Sequence, residues 1–206
     1  QAAALHAPRW GDPTLEALFA EGPEVRAARL SEIYAMLVEL SLARIDGLVD
    51  STVADFARAF TPHVHAWTLG TDAPRTIAHM DFRPDNFLFG VEPGAPDLAI
   101  VDWQTYSPGP GTHDVAYMIG GGFEPDVRRT VEQELLAQYR TELAARGVQY
   151  DADACWRDYC ISSLWGVVMS IIALMLAQET ERGNRMLATM LRRHAQHAID
   201  VDAIGV

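Results

Sequence analysis

The chain has 206 residues, of which 49% are hydrophobic, and its formal net charge is −12. This length and apolar content favour one large folded domain and exclude an intrinsically disordered chain. The negative charge argues against a nucleic-acid backbone as the main partner, because binding to phosphates requires clustered cationic side chains.

The two cysteines indicate a reducing compartment. Cys155 and Cys160 lie five residues apart in one predicted helix, so their side chains point to different faces and do not pair. The sequence shows neither a disulfide framework nor zinc-ligand spacing, and no secretory signal opens it. We therefore expect a cytoplasmic protein. Because residues 1–7 have the pattern of the end of a helix, we also expect the chain to be a fragment of a longer protein.

The sequence of the first third of the chain predicts helices. After the short helix over residues 1–7, Asp12 is a good N-cap for a helix over residues 13–19, which begins with proline. Apolar side chains at steps of three and four predict an amphipathic helix over residues 24–49. Another helix begins after Asp50, with a break expected at Pro62.

The middle of the chain predicts short strands. Three apolar runs cover residues 76–78, 87–89 and 98–101, and Gly/Pro clusters in 90–96 predict a hairpin connection. Such short strands do not form a core of their own, so the sheet is expected to lie on helices. Four prolines and glycines within residues 106–113 predict a loop.

The remainder again predicts helices, which makes the fold α+β and mostly α-helical. Residues 161–177 carry no charge, but this run is slightly short for a membrane span and contains several serines, so a buried helix is the favoured interpretation. The predicted helices cover residues 114–119, residues 126–146, a segment capped by Asp151 or Asp153, and residues 181–199.

The segment 79–102 carries groups suited to metal-assisted phosphoryl transfer. Asp81 and Asn86 have the spacing H-x-D-x-x-x-x-N, in which Asp accepts the proton of the substrate hydroxyl and Asn binds a metal. Asp102 directly follows the apolar run 98–101. Amide and carboxylate oxygens suit Mg²⁺, so Asn86 and Asp102 are the predicted metal pair and Asp81 the predicted catalytic base.

Three further residues are predicted to support this site. Arg83 faces a phosphate or Asp85, or is an ordinary surface arginine, and His79 is expected to fix the loop through hydrogen bonds. Asp114 either caps its helix or accepts backbone N–H groups of the loop. An alternative is that His79, Asp81 and Asp102 converge on a hydrolytic metal.

These motifs resemble the C-terminal lobe of the aminoglycoside phosphotransferase and choline kinase-like branch of the protein-kinase fold. The matching segments are residues 5–7, 79–89, 100–104 and 109–117. The resemblance implies that residues 1–206 form one C-terminal, acceptor- and metal-binding lobe, in which a small β-hairpin region carries the catalytic loop.

The same resemblance implies a function. An ATP- or GTP-dependent phosphotransferase would act on a hydroxyl of a small molecule, with Mg²⁺ as cofactor and neither nucleic acid nor membrane as partner. Asp81 and Arg83 would be catalytic, Asn86 and Asp102 would bind the metal and so the cofactor, and Asp114 would support the loop together with His79. The acceptor, the choice between ATP and GTP, and the oligomeric state stay open.

Two departures from the family pattern limit this expectation. Met80 stands where the family usually has glycine, so its side chain either strains the loop, if φ is positive, or simply packs inside. Residues 1–78 contain no Gly-rich nucleotide loop and no strand Lys with its Glu partner, so the N-terminal nucleotide-binding lobe is absent from this chain. We expect the isolated chain to be inactive. A pseudoenzyme that binds a small molecule or a partner is the alternative from another class.

Overall fold

The computed structural model describes residues 1–19, 21–70, 72–92 and 94–205. Helices dominate these ranges, and the strands form two small antiparallel sheets. The predicted α+β, mostly helical class is therefore confirmed. The predicted hairpin connection over residues 90–96 includes Pro93, which lies outside the described residues.

The bounds of the elements follow the predicted order. The helices are α1 (Ala2–His6), α2 (Pro23–Arg44), α3 (Ser51–Phe60), α4 (Val64–Leu69), α5 (Gly111–Gly122), α6 (Pro125–Ala144), α7 (Ala152–Leu176) and α8 (Glu181–Asp200). The strands are β1 (Arg75–Ala78), β2 (Phe87–Phe89), β3 (Leu98–Ile100) and β4 (Ser107–Pro110). Short 3₁₀ helices cover Ala7–Arg9, Pro13–Leu18, Thr61–His63, Pro84–Asn86 and Trp103–Thr105.

Local capping explains where several helices begin. The carboxylate of Asp50 accepts the N–H of Val53 at 3.0 Å, and Asp151, rather than Asp153, accepts two backbone N–H groups at the start of α7. The break predicted at Pro62 is confirmed, because a 3₁₀ turn separates α3 from α4 there.

Two predicted boundaries were wrong. The helix expected to reach residue 49 ends at Arg44, and the chain turns at Gly47 with φ +75°. The apolar pattern continued past this end because Ile45 is buried in the core. Residues 107–110 were predicted as loop but form β4, and α5 begins at residue 111.

Strand β4 exists because β1 provides a partner for it. The two strands are antiparallel, with Thr76 opposite Gly109 and Ala78 opposite Ser107. Proline donates no backbone N–H, so Pro108 is tolerated only in an edge strand of this kind. The tertiary pairing therefore overrides the loop propensity of the sequence.

Two hydrophobic cores hold the helices together. The first lies among α2, α3, α7 and α8 around Tyr34 and Phe60, and the second lies among α1, α5, α6 and the start of α7 around Tyr159. Cys155 and Cys160 are unpaired and buried in the second core. Helix α7 runs through both cores.

The apolar composition of α7 reflects this position. Among the described residues, only α7 is long and apolar enough to cross a membrane, and 61% of its most apolar 18-residue window is buried inside the fold. This burial favours the predicted role as a core helix.

Candidate active site

One buried carboxylate anchors the loop after β1 through hydrogen bonds. Asp114 lies in the first turn of α5 and is fully buried. Its Oδ2 accepts the backbone N–H of His79 at 2.7 Å, and its Oδ1 accepts that of Met80 at 2.8 Å. Because α5 begins before Asp114, this side chain is not a helix cap. Asp114 instead accepts backbone N–H groups of the loop, which is the second of the two roles predicted for it.

Asp114 is itself held by residues that the sequence did not indicate. The Nε2 of His6 lies 3.1 Å from Asp114 Oδ2, and the Nδ1 of the same ring lies 2.8 Å from the hydroxyl of Tyr139. This chain of buried polar groups links α1, α5 and α6 to the catalytic loop. His6 belongs to a segment that carried the family resemblance, which was the available signal for its role.

His79 orders the loop, as predicted. Its Nδ1 accepts the backbone N–H of Asp81 at 3.3 Å, and its Nε2 lies 2.9 Å from the carbonyl oxygen of Val101. This pattern fits a neutral ring that carries its proton on Nε2. Both nitrogens are therefore engaged, which disfavours His79 as a metal ligand.

Met80 has the positive φ that was the condition for strain at this position, and its side chain is also packed inside. Its φ is +67°, a left-handed value that a side chain with Cβ disfavours by about 1–2 kcal/mol. Its side chain is buried, its N–H donates to Asp114, and its carbonyl accepts the indole N–H of Trp165 at 2.9 Å. These bonds offset the strain, so the methionine is accommodated without loss of the loop.

Asp81 is fixed by its neighbours in the loop. The Nδ2 of Asn86 donates to the Asp81 carbonyl at 2.8 Å and to the Asp81 carboxylate at 2.9 Å. The Nε of Arg83 lies 3.3 Å from Asp81 Oδ1 as an ion pair without hydrogen-bond geometry. The predicted residues Asp81, Arg83 and Asn86 thus lie together.

Asn86 and Asp102 occupy the same end of the β2–β3 hairpin. Phe87 pairs with Ile100, and the N–H of Val101 donates to the Asn86 carbonyl at 3.0 Å. Asp102 is exposed and has φ +65°. Strained non-glycine residues are concentrated at functional sites. This strain is an observation in favour of a role for Asp102.

The oxygen atoms of Asn86 and Asp102 are suitable ligands for a hard divalent cation. Both side-chain bonds of Asn86 use its Nδ2, so its amide oxygen remains available, and the carboxylate of Asp102 faces solvent. Mg²⁺ is commonly held by one or two protein oxygens together with phosphate oxygens and water. Within the described residues, no three His, Cys, Asp or Glu side chains cluster to hold a metal. The metal-hydrolase alternative therefore has no structural support.

A cavity of about 240 Å³ lies next to two residues that contact Asp81. Arg83 and Tyr117 line it, together with Met190 and His194 of α8. Burial and the negative charge of Asp81 raise the pKa of the Tyr117 phenol, which therefore stays protonated beside that carboxylate. The ring of His194 stacks on Tyr117 with centroids 4.8 Å apart. Neither Tyr117 nor His194 was predicted, because their approach to the loop depends on helix packing.

Known proteins resemble this chain at two levels. The sequence model described as "Phosphotransferase enzyme family" matches residues 3–152. No curated protein shows significant sequence similarity to the chain. Among solved structures, an ethanolamine kinase from Plasmodium vivax is similar with a TM-score of 0.48 and 10% identity, over 84% of this chain and 48% of that one. The chain thus spans about half the length of that enzyme.

Proposed function

Because the chain belongs to the phosphotransferase enzyme family, we propose that it carries the acceptor- and metal-binding half of a small-molecule kinase site. One observation carries this proposal. Asp114 accepts two backbone hydrogen bonds from the loop in which the Asn86 amide donates to the Asp81 carboxylate. Phosphoryl transfer demands positioning and charge stabilisation more than covalent chemistry. A rigidly held carboxylate whose neighbours Arg83 and Tyr117 line a cavity meets that demand.

Asp81 is the group that would receive the proton of the acceptor hydroxyl. Asn86 holds its carboxylate in place, and the Arg83 guanidinium next to it would stabilise the negative charge of the transferred phosphoryl group. The amide oxygen of Asn86 and the carboxylate of Asp102 would hold Mg²⁺, which when bound supplies positive charge to the phosphates of ATP or GTP.

The acceptor would enter the cavity of about 240 Å³ that Arg83 and Tyr117 line. Arg83 and Tyr117 both approach the Asp81 carboxylate and also line this cavity, so a hydroxyl bound there is near the proton acceptor. Met186 and Met190 add an adaptable apolar wall. This volume suits a small hydroxylated molecule rather than a protein substrate.

We propose that this chain is part of a longer protein that also carries a nucleotide-binding lobe, and the test uses that protein. Release of ADP or GDP is measured with Mg²⁺ and a panel of aminoglycosides, amino alcohols and sugars. Asp81→Asn is expected to reduce turnover by about 10²–10⁴-fold, the range for removal of a general base. The matched control is Asp126→Asn, which changes an almost fully exposed carboxylate on α6. Turnover that survives Asp81→Asn would contradict the proposal.

Two finer expectations belong to the same experiment. The 206-residue chain alone is expected to show no turnover, because residues 1–78 provide no nucleotide-binding loop or lysine. Asp102→Ala is expected to weaken Mg²⁺ binding in the longer protein. Unchanged Mg²⁺ binding in that variant would favour the pseudoenzyme alternative. The cytoplasmic location stays a prediction.

A further inference from the structure

A second cavity, of about 310 Å³, lies where α2, α4 and α7 meet the β1–β4 pair. We name it the arginine–tryptophan cavity. No described residue lines both this cavity and the cavity proposed for the acceptor, so the two are separate. The defining residues are Phe19, Arg26, Trp67, Arg75, His113 and Trp165.

One wall of the cavity consists of flat rings. His113 is nearly parallel to Trp165, with an interplanar angle of 6° and centroids 5.5 Å apart, and Trp67 lies 5.8 Å from His113 at 28°. Both indoles are partly exposed. Trp67 and Trp165 donate their ring N–H groups to backbone carbonyls, which fixes the rings in place. This wall is rigid and complementary to a flat apolar molecule.

The rim of the cavity is cationic. The Arg26 guanidinium lies 3.6 Å from the centre of the Phe19 ring, and both Arg29 and Arg75 line the same cavity. These three arginines pair with only two acidic side chains, Glu16 and Glu21. The rim therefore keeps an excess of positive charge, although the whole chain carries a net charge of −12.

Two buried polar atoms of residues that line this cavity have no hydrogen-bond partner in the described part of the chain. They are Nε of Arg75 and Nδ1 of His113. Glu16 Oε1 lies 3.3 Å from Arg75 Nε, but without hydrogen-bond geometry. His113 is 9% exposed. Unbonded buried donors are rare because each costs about 1–3 kcal/mol. An oxygen acceptor bound in this cavity would satisfy both atoms.

The His113 ring is a neutral partner for such an oxygen. Burial, helped by the nearby Arg75 charge, lowers the pKa of His113 to about 4, while the Asp114 charge opposes that shift. The ring is therefore uncharged at neutral pH. With its proton on Nδ1 it donates one hydrogen bond, and the permanent positive charge comes from Arg75.

From this geometry we propose that the arginine–tryptophan cavity binds a small organic anion with a flat apolar body. Its oxyanion accepts hydrogen bonds from Arg75 Nε and His113 Nδ1, and its body lies against Trp67 and Trp165. The arginine rim excludes cationic ligands and favours an anion over a neutral molecule of the same shape. Met80 also lines the cavity, so the bound anion contacts the residue that precedes Asp81. The proposal is independent of phosphoryl transfer.

The test compares matched ligands by isothermal titration calorimetry. The probe is phenylacetate, and its neutral counterpart is phenylacetamide, which has nearly the same shape. We expect one phenylacetate per chain, bound at least about tenfold more tightly than the amide, because a charge-assisted hydrogen bond contributes most of the difference. This comparison uses the unaltered protein, so it does not depend on the folding of any variant.

Variants then locate the site. Arg75→Met is expected to weaken phenylacetate binding by about tenfold or more and to remove the preference over the amide. His113→Phe keeps the ring stack and is expected to weaken binding less. Arg182→Met removes the same charge from an exposed position on α8 and is expected to change nothing. Asp81→Asn is also expected to leave phenylacetate binding unchanged.

Three results would overturn the proposal. The first is no binding of phenylacetate up to roughly 10 mM, the range expected for so small a ligand. The second is equal affinity for the acid and the amide. The third is an unchanged affinity in a folded Arg75→Met protein, as judged by circular dichroism. Loss of binding in Asp81→Asn would instead place the ligand in the other cavity and would also contradict the proposal.

Discussion

Replacing Asp114 by alanine tests whether one buried carboxylate holds the catalytic loop. The side chain accepts backbone N–H groups from His79 and Met80 at 2.7 and 2.8 Å, and it lies 3.1 Å from His6 Nε2. Alanine would leave both backbone N–H groups buried without an acceptor. Each such group costs about 1–3 kcal/mol, so we expect a loss of about 3–5 kcal/mol in the free energy of unfolding.

The assay is equilibrium unfolding in urea, read from the midpoint at an unchanged slope. A loss of this size would remove a large part of the ~5–15 kcal/mol that stabilises a typical domain. Asp114→Asn keeps one acceptor oxygen but turns an amide N–H₂ towards the other backbone N–H. It is expected to cost about half as much as the alanine variant.

A matched control separates burial from the number of bonds. Asp151 also accepts two backbone N–H groups, each at 3.0 Å, but at the exposed start of α7. Asp151→Ala is expected to cost about 0.5–2 kcal/mol, the range for an N-cap, because water replaces the lost acceptor. If Asp114→Ala costs no more than Asp151→Ala, the reasoning from burial is refuted.

Three further predictions concern strain, protonation and close packing. Met80→Gly should be at least about 1 kcal/mol more stable towards urea than Met80→Ala, because only glycine relieves the positive φ; the reverse order would contradict the assigned strain. Burial lowers the pKa of His113 to about 4 and that of His194 to about 3. Histidines of the unfolded chain have pKa values near 6.5, so the unfolded chain binds protons that the folded chain excludes. The free energy of unfolding should therefore fall as pH drops from about 6.5 towards 3. The slope is at most about 1.4 kcal/mol per pH unit for each ring. His194→Phe should reduce this slope in pH-dependent urea unfolding, and an unchanged slope would refute the contribution of His194. Gly166→Ala should destabilise the protein in thermal and urea unfolding by about 2–4 kcal/mol, because its Cβ would lie 2.1 Å from His194 Nδ1, whereas Gly22→Ala meets open space and serves as control.

The sequence by itself determined the features that depend on neighbouring residues. The spacing of Asp81 and Asn86 predicted that both belong to one loop, and the fold of that loop brings their side chains into contact. Asp12, Asp50 and the pair Asp151 or Asp153 predicted helix starts, because a cap bonds N–H groups two or three residues ahead; the structure selected Asp151. The apolar steps predicted the helix interiors for the same local reason.

Only the tertiary structure decided the features that join distant parts of the chain. Residues 107–110 become a strand because β1 offers unpaired backbone groups, which outweighs their proline and glycine content. Asp114 reaches back to residues 79 and 80, and His6 reaches Asp114, only after α1 and α5 are packed together. Both cavities likewise lie between elements far apart in sequence. Contacts of this kind depend on how helices pack, which local propensity and periodicity do not encode.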